Sequence, residues 1–147
     1  MKITVGITVD VPPRELWRYL ERIEDHVEWM ADARAITFVS SHHRGIGTEF
    51  DCLTRVGPFR TTDRMTVTEW EPGRAMGIIH RGIFTGRGRF VLRRRRHGRT
   101  RFSWQERLQF PLWMGGPVGA LAAKPVLRAI WRRNLRRLKQ KAEASAA

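Results

Sequence analysis

The sequence predicts an α+β domain: a curved antiparallel sheet of about seven strands wrapped around one long C-terminal helix, with two short helices after the first strand. Two observations carry this reading. From Arg34 to Phe110 polarity alternates with a period of two, interrupted by short turn signals. From Gly116 to Ala144 the period changes to three and four, and Val126, Leu127, Ile130, Trp131, Asn134, Leu135 and Leu138 form one stripe. Arg128, Arg132, Arg133, Arg136, Arg137 and Lys139 take the rest of that helix's circumference. A stripe this long needs a broad concave partner, and only the strands offer one.

The elements follow in order. Met1–Asp10 sets Ile3, Val5, Ile7 and Val9 against Lys2, Thr4, Thr8 and Asp10, which is a half-buried strand. Val11-Pro12-Pro13 ends it, and Pro13 with Glu15 suits a helix's first turn. Leu16, Trp17, Leu20 and Ile23 mark that helix, and Glu24–Met30 reads as a second, with Val27, Trp29 and Met30 available for burial. The strands that follow are Ala35–Ser40, Thr48–Val56, Phe59–Trp70, Arg74–Gly82, Phe84–Arg95 and Arg99–Phe110. His42–Gly47, Gly57-Pro58, Glu71-Pro72-Gly73 and His97-Gly98 supply turns between them, so neighbours run antiparallel. Pro125 either kinks the last helix or marks its true first turn, because its ring deletes one backbone bond. The tail Ala142–Ala147 is expected to fray.

Alternation assigns faces. Thr100, Phe102, Trp104, Glu106, Leu108 and Phe110 point toward the helix. So do Phe50, Cys52 and Thr54 on one strand, and Asp63, Met65 and Val67 on the next. Met76, Ile78 and His80, then Gly86, Gly88, Phe90 and Leu92, complete the inner face. Arg64, Arg81, Arg87, Arg89 and Arg93 fall outside.

At 147 residues the chain is expected to be one domain, 1–147, large enough for a real core. No apolar run approaches a bilayer span, Met1–Val11 lacks the layout of a signal peptide, and Cys52 is alone. A reducing cytoplasm is the expected setting. The net charge of +14 comes mostly from arginine. A field of that sign attracts anions, although arginine-rich coding bias produces the same composition.

Ile3–Pro13 running into Glu15-Leu16-Trp17, Gly45-Ile46-Gly47-Thr48, Val67–Arg74 and Thr100–Leu108 together resemble the SRPBCC superfamily, of START and polyketide cyclase/dehydrase type. The resemblance spans essentially the whole chain and implies the helix-grip fold. Its motifs are turns and core positions, specific for fold and weak for activity. It implies functions ranging from lipid and hormone carriage to aromatase/cyclase chemistry, and no catalytic signature of one subfamily is present.

Asp63, His80 and Glu106 are the ionisable groups expected on the inner face. A carboxylate beside an imidazole makes an acid/base pair near neutral pH. The structural alternative is that the three bond to one another, to Arg74 or to buried water. Phe50, Met65, Met76, Ile78, Phe90, Trp104 and Trp131 would line the remaining wall, and flexible thioethers beside aromatics suit a planar or lipidic ligand. Gly86 and Gly88 are read as the source of space, because glycine leaves room where Val or Ile would fill it. No metal is expected: His26, His42, His43 and His80 fit no ligand spacing. Ser40 and Ser41 lack triad partners, Cys52 reads as a small buried hydrophobe, and no cofactor is implied.

Arg93–Arg96 with His97-Gly98-Arg99 forms a basic hairpin tip. It reads as a solvated face: no aromatic interleaves it to stack on bases, which disfavours nucleic acid. Deep membrane insertion is disfavoured because the sheet already uses the helix's one apolar stripe. The function expected is binding of a hydrophobic or amphipathic small molecule, of lipid, polyketide or aromatic type, between sheet and helix. One alternative is a cofactor-independent cyclase/dehydratase or isomerase. The other is a basic module docking peripherally on anionic lipid or nucleic acid. No oligomeric state is implied.

Overall fold

In the computed structural model, which describes residues 1–146, seven strands form one antiparallel sheet. They are β1 (Lys2–Val9), β2 (Ala33–Phe38), β3 (Glu49–Val56), β4 (Phe59–Glu71), β5 (Ala75–Arg81), β6 (Thr85–Arg95) and β7 (Arg99–Gln109), in the order β1-β7-β6-β5-β4-β3-β2. α1 (Pro13–Glu21) and a 3-10 turn (Ile23–Glu28) carry the chain from one sheet edge to the other, and α2 (Gly116–Ala146) follows β7. This is the helix-grip arrangement. Bulges between Ala33 and Ala35 and between Val67 and Glu69 add local bend and twist to the sheet.

The second expected helix is the element that differs: it is the 3-10 turn, and His26 explains the tight return. Its Nε2–H donates to the Leu20 carbonyl at 2.7 Å, closing a carbonyl at the end of α1 from the side. Trp29, just beyond, is among the largest fully buried side chains and meets His26, Phe90 and Trp104 edge-on or tilted.

α2 is seated by its C-terminal half. Trp131, Asn134, Leu135, Leu138 and Ala142 are buried at the spacing of one helical face. Val126, expected in the stripe, is 53% exposed, because its column of the helix continues into exposed Arg133 rather than into buried Asn134. The helix passes through Pro125 without ending, leaving the Leu121 carbonyl without its usual in-helix donor. The tail does not fray where expected: helix continues to Ala146, and Ala147 lies outside the described residues. Glu143 is the reason, since it accepts the Asp10 N–H at 2.8 Å and pairs with Lys139, whose Nζ also donates to the Thr8 carbonyl at 3.0 Å.

Asn134, inside an apolar stripe, has a specific use. Its side-chain Nδ2 donates to Asp32 at 2.7 Å and its Oδ1 accepts the Ala31 N–H at 3.0 Å. Trp131 Nε1 donates to the other oxygen of Asp32 at 3.1 Å. Together they clamp α2 to the segment leading into β2. Replacing Asn134 with Ala strands part-buried partners, so stability should fall by about 2 kcal/mol. Urea unfolding measures this, and a loss below ~0.5 kcal/mol would refute the clamp.

Candidate functional site

The sheet's inner face and the N-terminal half of α2 do not meet. Between them lies a cavity of about 300 Å³. Of the side chains expected there, Phe50, Met65, Met76, Ile78, Phe90, Trp104 and Trp131 all line it, as do His80, Glu106, Asp63 and Gly88. Gly86 does not. A Cβ at Gly86, whose φ is +151°, would overlap the Arg107 carbonyl across the strand pair, so the residue permits a close backbone approach and leaves no cavity space. Sequence reading also missed lining residues at strand ends and in turns: Phe59, Phe84 and Met114, together with His26 and Asp32. The first three belong to one aromatic and thioether end near the start of α2, where Phe84 packs on both Phe59 and Phe110.

Gly88 has a different purpose from the one expected. β6 lies between β5 and β7, and Gly88 pairs with Ile78 on one side and Glu106 on the other. A Cβ at Gly88 would overlap the Glu106 carboxylate. The missing side chain therefore lets Glu106 reach over β6 to His80, where Nε2 and Oε2 stand 3.0 Å apart. The other oxygen of Glu106 accepts the Trp104 indole N–H at 2.9 Å. Trp104 in turn stacks on Trp131 of α2, with centroids 5.0 Å apart and planes 24° apart.

Burial pulls the His80 pKa down, but the hydrogen bond and charge of Glu106, with Asp63 behind them, outweigh it and leave the pKa above 6.5. Asp63 is not part of the pair. It accepts the Thr61 hydroxyl at 3.3 Å and the Ile83 N–H at 3.2 Å, tying β4 to the β5–β6 turn. Desolvation raises its pKa, opposed by those two donors and by His80. Arg74 is exposed and takes no part. Cys52 is buried, with its thiol pushed up to about 11 by desolvation. Among the described residues no three His, Cys, Asp or Glu side chains gather as metal ligands would, and no helix is long and apolar enough to cross a membrane.

The family profile described as polyketide cyclase / dehydrase and lipid transport matches residues 1–143. The chain belongs to that family. Solved structures agree with it on fold. The Zhui aromatase/cyclase of Streptomyces sp. R1128 is 15% identical with a TM-score of 0.75, covering 100% of this chain and 96% of its own. A START superfamily protein of Mycobacterium smegmatis is 11% identical with a TM-score of 0.80, covering 97% of both chains. The di-domain ARO/CYC StfQ of the steffimycin biosynthetic pathway is 18% identical with a TM-score of 0.78, and this chain spans 51% of its length. No curated protein matches the sequence.

Two histidines of this family member give opposite pH signatures. His26 is buried, and desolvation lowers its pKa to about 4 against the Leu20 bond and the nearby Glu24 and Asp25 charges. The unfolded chain therefore takes up a proton near pH 6.5 that the folded chain resists to about pH 4, so stability falls across that window as pH drops. The full loss is about 3 kcal/mol by linkage. His26→Gln keeps a donor for Leu20 and should flatten this acid limb in denaturation measured from pH 7 to 4. A variant that keeps the wild-type slope would contradict the assignment. His80 has the reverse sign: its contribution is complete below pH 6.5 and disappears as pH rises through its raised folded value.

Gly88→Ala should displace Glu106 and release His80. The His80 pKa, read by NMR titration of the ring protons, should then fall below its wild-type value, with a stability loss of about 1–3 kcal/mol. An unchanged His80 titration would refute the claim that Gly88 makes room for the pair.

Proposed function

We propose that the protein binds a hydrophobic or amphipathic small molecule, of lipid, polyketide or aromatic type, in the cavity between sheet and α2. The observation that carries this reading is the cavity itself, about 300 Å³ walled by aromatic and thioether side chains with one ionic pair set in it. Ordinary cores pack to crystal density and leave few voids larger than a water. This space is about ten waters' share of liquid volume and falls at the lower end of ligand pockets. Apolar walls facing a void forgo dispersion contacts, so an apolar ligand filling it gains them. Met65 and Met76 can adapt to a ligand's outline, while the Trp104–Trp131 stack offers a flat face. Family membership supports a ligand of this class. Cys52, buried and unpaired, suits a reducing cytoplasm.

The His80–Glu106 pair favours a second reading, a cofactor-independent cyclase/dehydratase or isomerase. Nε2 is committed to Glu106, which leaves Nδ1 as the ring nitrogen that can meet a ligand, since no described residue hydrogen-bonds it. The pKa is raised, and the protonated ring carries a proton on Nδ1 to give to a ligand carbonyl oxygen. The neutral ring that results can take a proton back from an adjacent carbon or hydroxyl. Glu106 stabilises the imidazolium throughout. Because the donor form disappears above the raised pKa, turnover on this route should decline on the alkaline side.

Native mass spectrometry of the purified protein should reveal a retained small molecule, and an apolar fluorescent probe should bind one to one. Ile78→Trp, which fills the cavity from β5, should weaken the probe by about tenfold or more while the fold remains. Probe binding indifferent to that substitution would refute the cavity reading. Glu106→Gln separates the two readings. An acid/base enzyme should lose about 100- to 10,000-fold in turnover with probe affinity little changed, whereas a carrier has no turnover to lose.

A further inference from the structure

The four most exposed large apolar side chains of the protein lie in one short segment. Leu112, Trp113, Val118 and Leu121 are 88%, 72%, 76% and 71% exposed, and Val126 follows on the same helix. Single exposed apolar residues are ordinary, but a contiguous group on a soluble surface marks a contact site. The segment begins with the 3-10 turn Leu112–Met114 and runs into α2 through Gly115 and Gly116, both with positive φ. Its other side is cavity wall: Met114, Ala123 and Leu127 face inward. The apolar stripe that the sheet uses is thus not the helix's only one.

Directly beyond the apolar group, the same helix turns basic. A surface groove of about 330 Å³ is lined by Leu121, Lys124, Pro125, Arg128, Ala129 and Arg132. None of its three cations is in an ion pair among the described residues, and the Arg128 Nε has no hydrogen-bond partner. No carboxylate occurs between Glu106 and Glu143, so the face has no acid of its own to answer them.

Charge decides the occupant. A second copy docking isologously would bring Lys124, Arg128 and Arg132 of both chains together, with +14 on each partner. A nucleic acid would neutralise the cations and leave Leu112, Trp113, Val118 and Leu121 in water. An anionic bilayer answers both features, with tryptophan suited to the headgroup level and phosphates to guanidinium and ammonium groups. We infer that this face docks on an anionic phospholipid surface: Leu112, Trp113, Val118 and Leu121 enter the headgroup–acyl boundary, and Lys124, Arg128 and Arg132 bind lipid phosphates in and beside the groove. Docking does not depend on what the cavity holds. If the cavity binds a lipidic ligand as proposed above, the docked segment is the wall through which that ligand passes between bilayer and cavity.

Flotation with phosphatidylcholine vesicles, with and without phosphatidylglycerol as about a third of the lipid, tests this at ~0.15 M salt. Binding to the anionic vesicles should be at least about tenfold tighter than to the neutral ones. Trp113→Ser with Leu121→Ser should weaken it about tenfold, as should Arg128→Ser with Arg132→Ser. Arg87→Ser with Arg107→Ser, on the sheet's outer face, should change it little. All these positions are exposed or partly so, and thermal melts on the same samples check folding. Three results would overturn the inference: no binding to anionic vesicles, an apolar double variant that binds like wild type, or a dimer in light scattering that the apolar double variant dissolves. Probe binding measured in parallel separates the readings. Its loss from a vesicle-binding protein counts against the ligand proposal, and its retention in a protein that ignores vesicles counts against docking.

Discussion

A carboxylate buried under a sheet must be satisfied on both oxygens, and that requirement at Glu106 organises the inside of this protein. Without partners the charge would cost several kcal/mol of desolvation. The Trp104 indole and the His80 imidazole provide them. Each has a structural condition attached: His80 is reachable only because Gly88 has no side chain, and Trp104 is positioned by its stack on Trp131. Trp131 is itself held by Asp32, which also holds Asn134. The seat of α2 and the cavity's ionic pair are therefore linked through one unbroken run of contacts. Disturbing the helix disturbs the hydrogen bond that sets the protonation of His80.

That linkage divides α2 into two parts with different physics. The C-terminal half buries Trp131, Leu135, Leu138 and Ala142 and is tied to β1 and the residue after it through Lys139 and Glu143. The N-terminal half faces a void on one side and water on the other. It contains Pro125, starts at a pair of glycines with positive φ, and buries only Gly116 and Ala120. Elements with the fewest buried apolar contacts open at the lowest free energy. The end of the helix beside the aromatic group Phe59, Phe84 and Phe110 is the part of the wall whose displacement costs least.

The fold was legible because both of its periods extend over long stretches of the chain. Alternation in β7 alone decides that Trp104 and Glu106 face inward, and burial agrees at each position from Thr100 to Leu108. The site was legible only in composition. His80 and Glu106 could be assigned to one face, but their contact spans a strand and depends on Gly88, a relation between three strands that no single period encodes. Reading Gly86 and Gly88 as open space failed because a missing side chain says nothing about which neighbour fills its place. His26 gave no periodic signal in its six-residue 3-10 turn, and Met114 stands in a turn beyond β7, where alternation has stopped. Val126 misled in the opposite direction: its spacing places it in the helix's apolar stripe, and it is 53% exposed.

The arginines show how little net charge alone says about function. On the outer face of the sheet, registers set Arg87 opposite Arg107, Arg93 opposite Arg101 and Arg64 opposite Arg81. Like charges directly across a strand pair are unfavourable, and only Arg64 and Arg89 have carboxylate partners there. The sheet tolerates this because exposed guanidinium groups can splay into water and are screened by salt. Those rows contain no exposed large apolar group, so an anion drawn to them gains charge neutralisation and nothing else. On α2 the cations are fewer, but four exposed apolar side chains precede them in the chain, and one of these, Leu121, lines the same groove. Selection for arginine in general would produce the first pattern without the second. The coincidence of unanswered cations with exposed Trp113 and its neighbours, rather than the charge of +14, is what distinguishes a docking face from a basic protein.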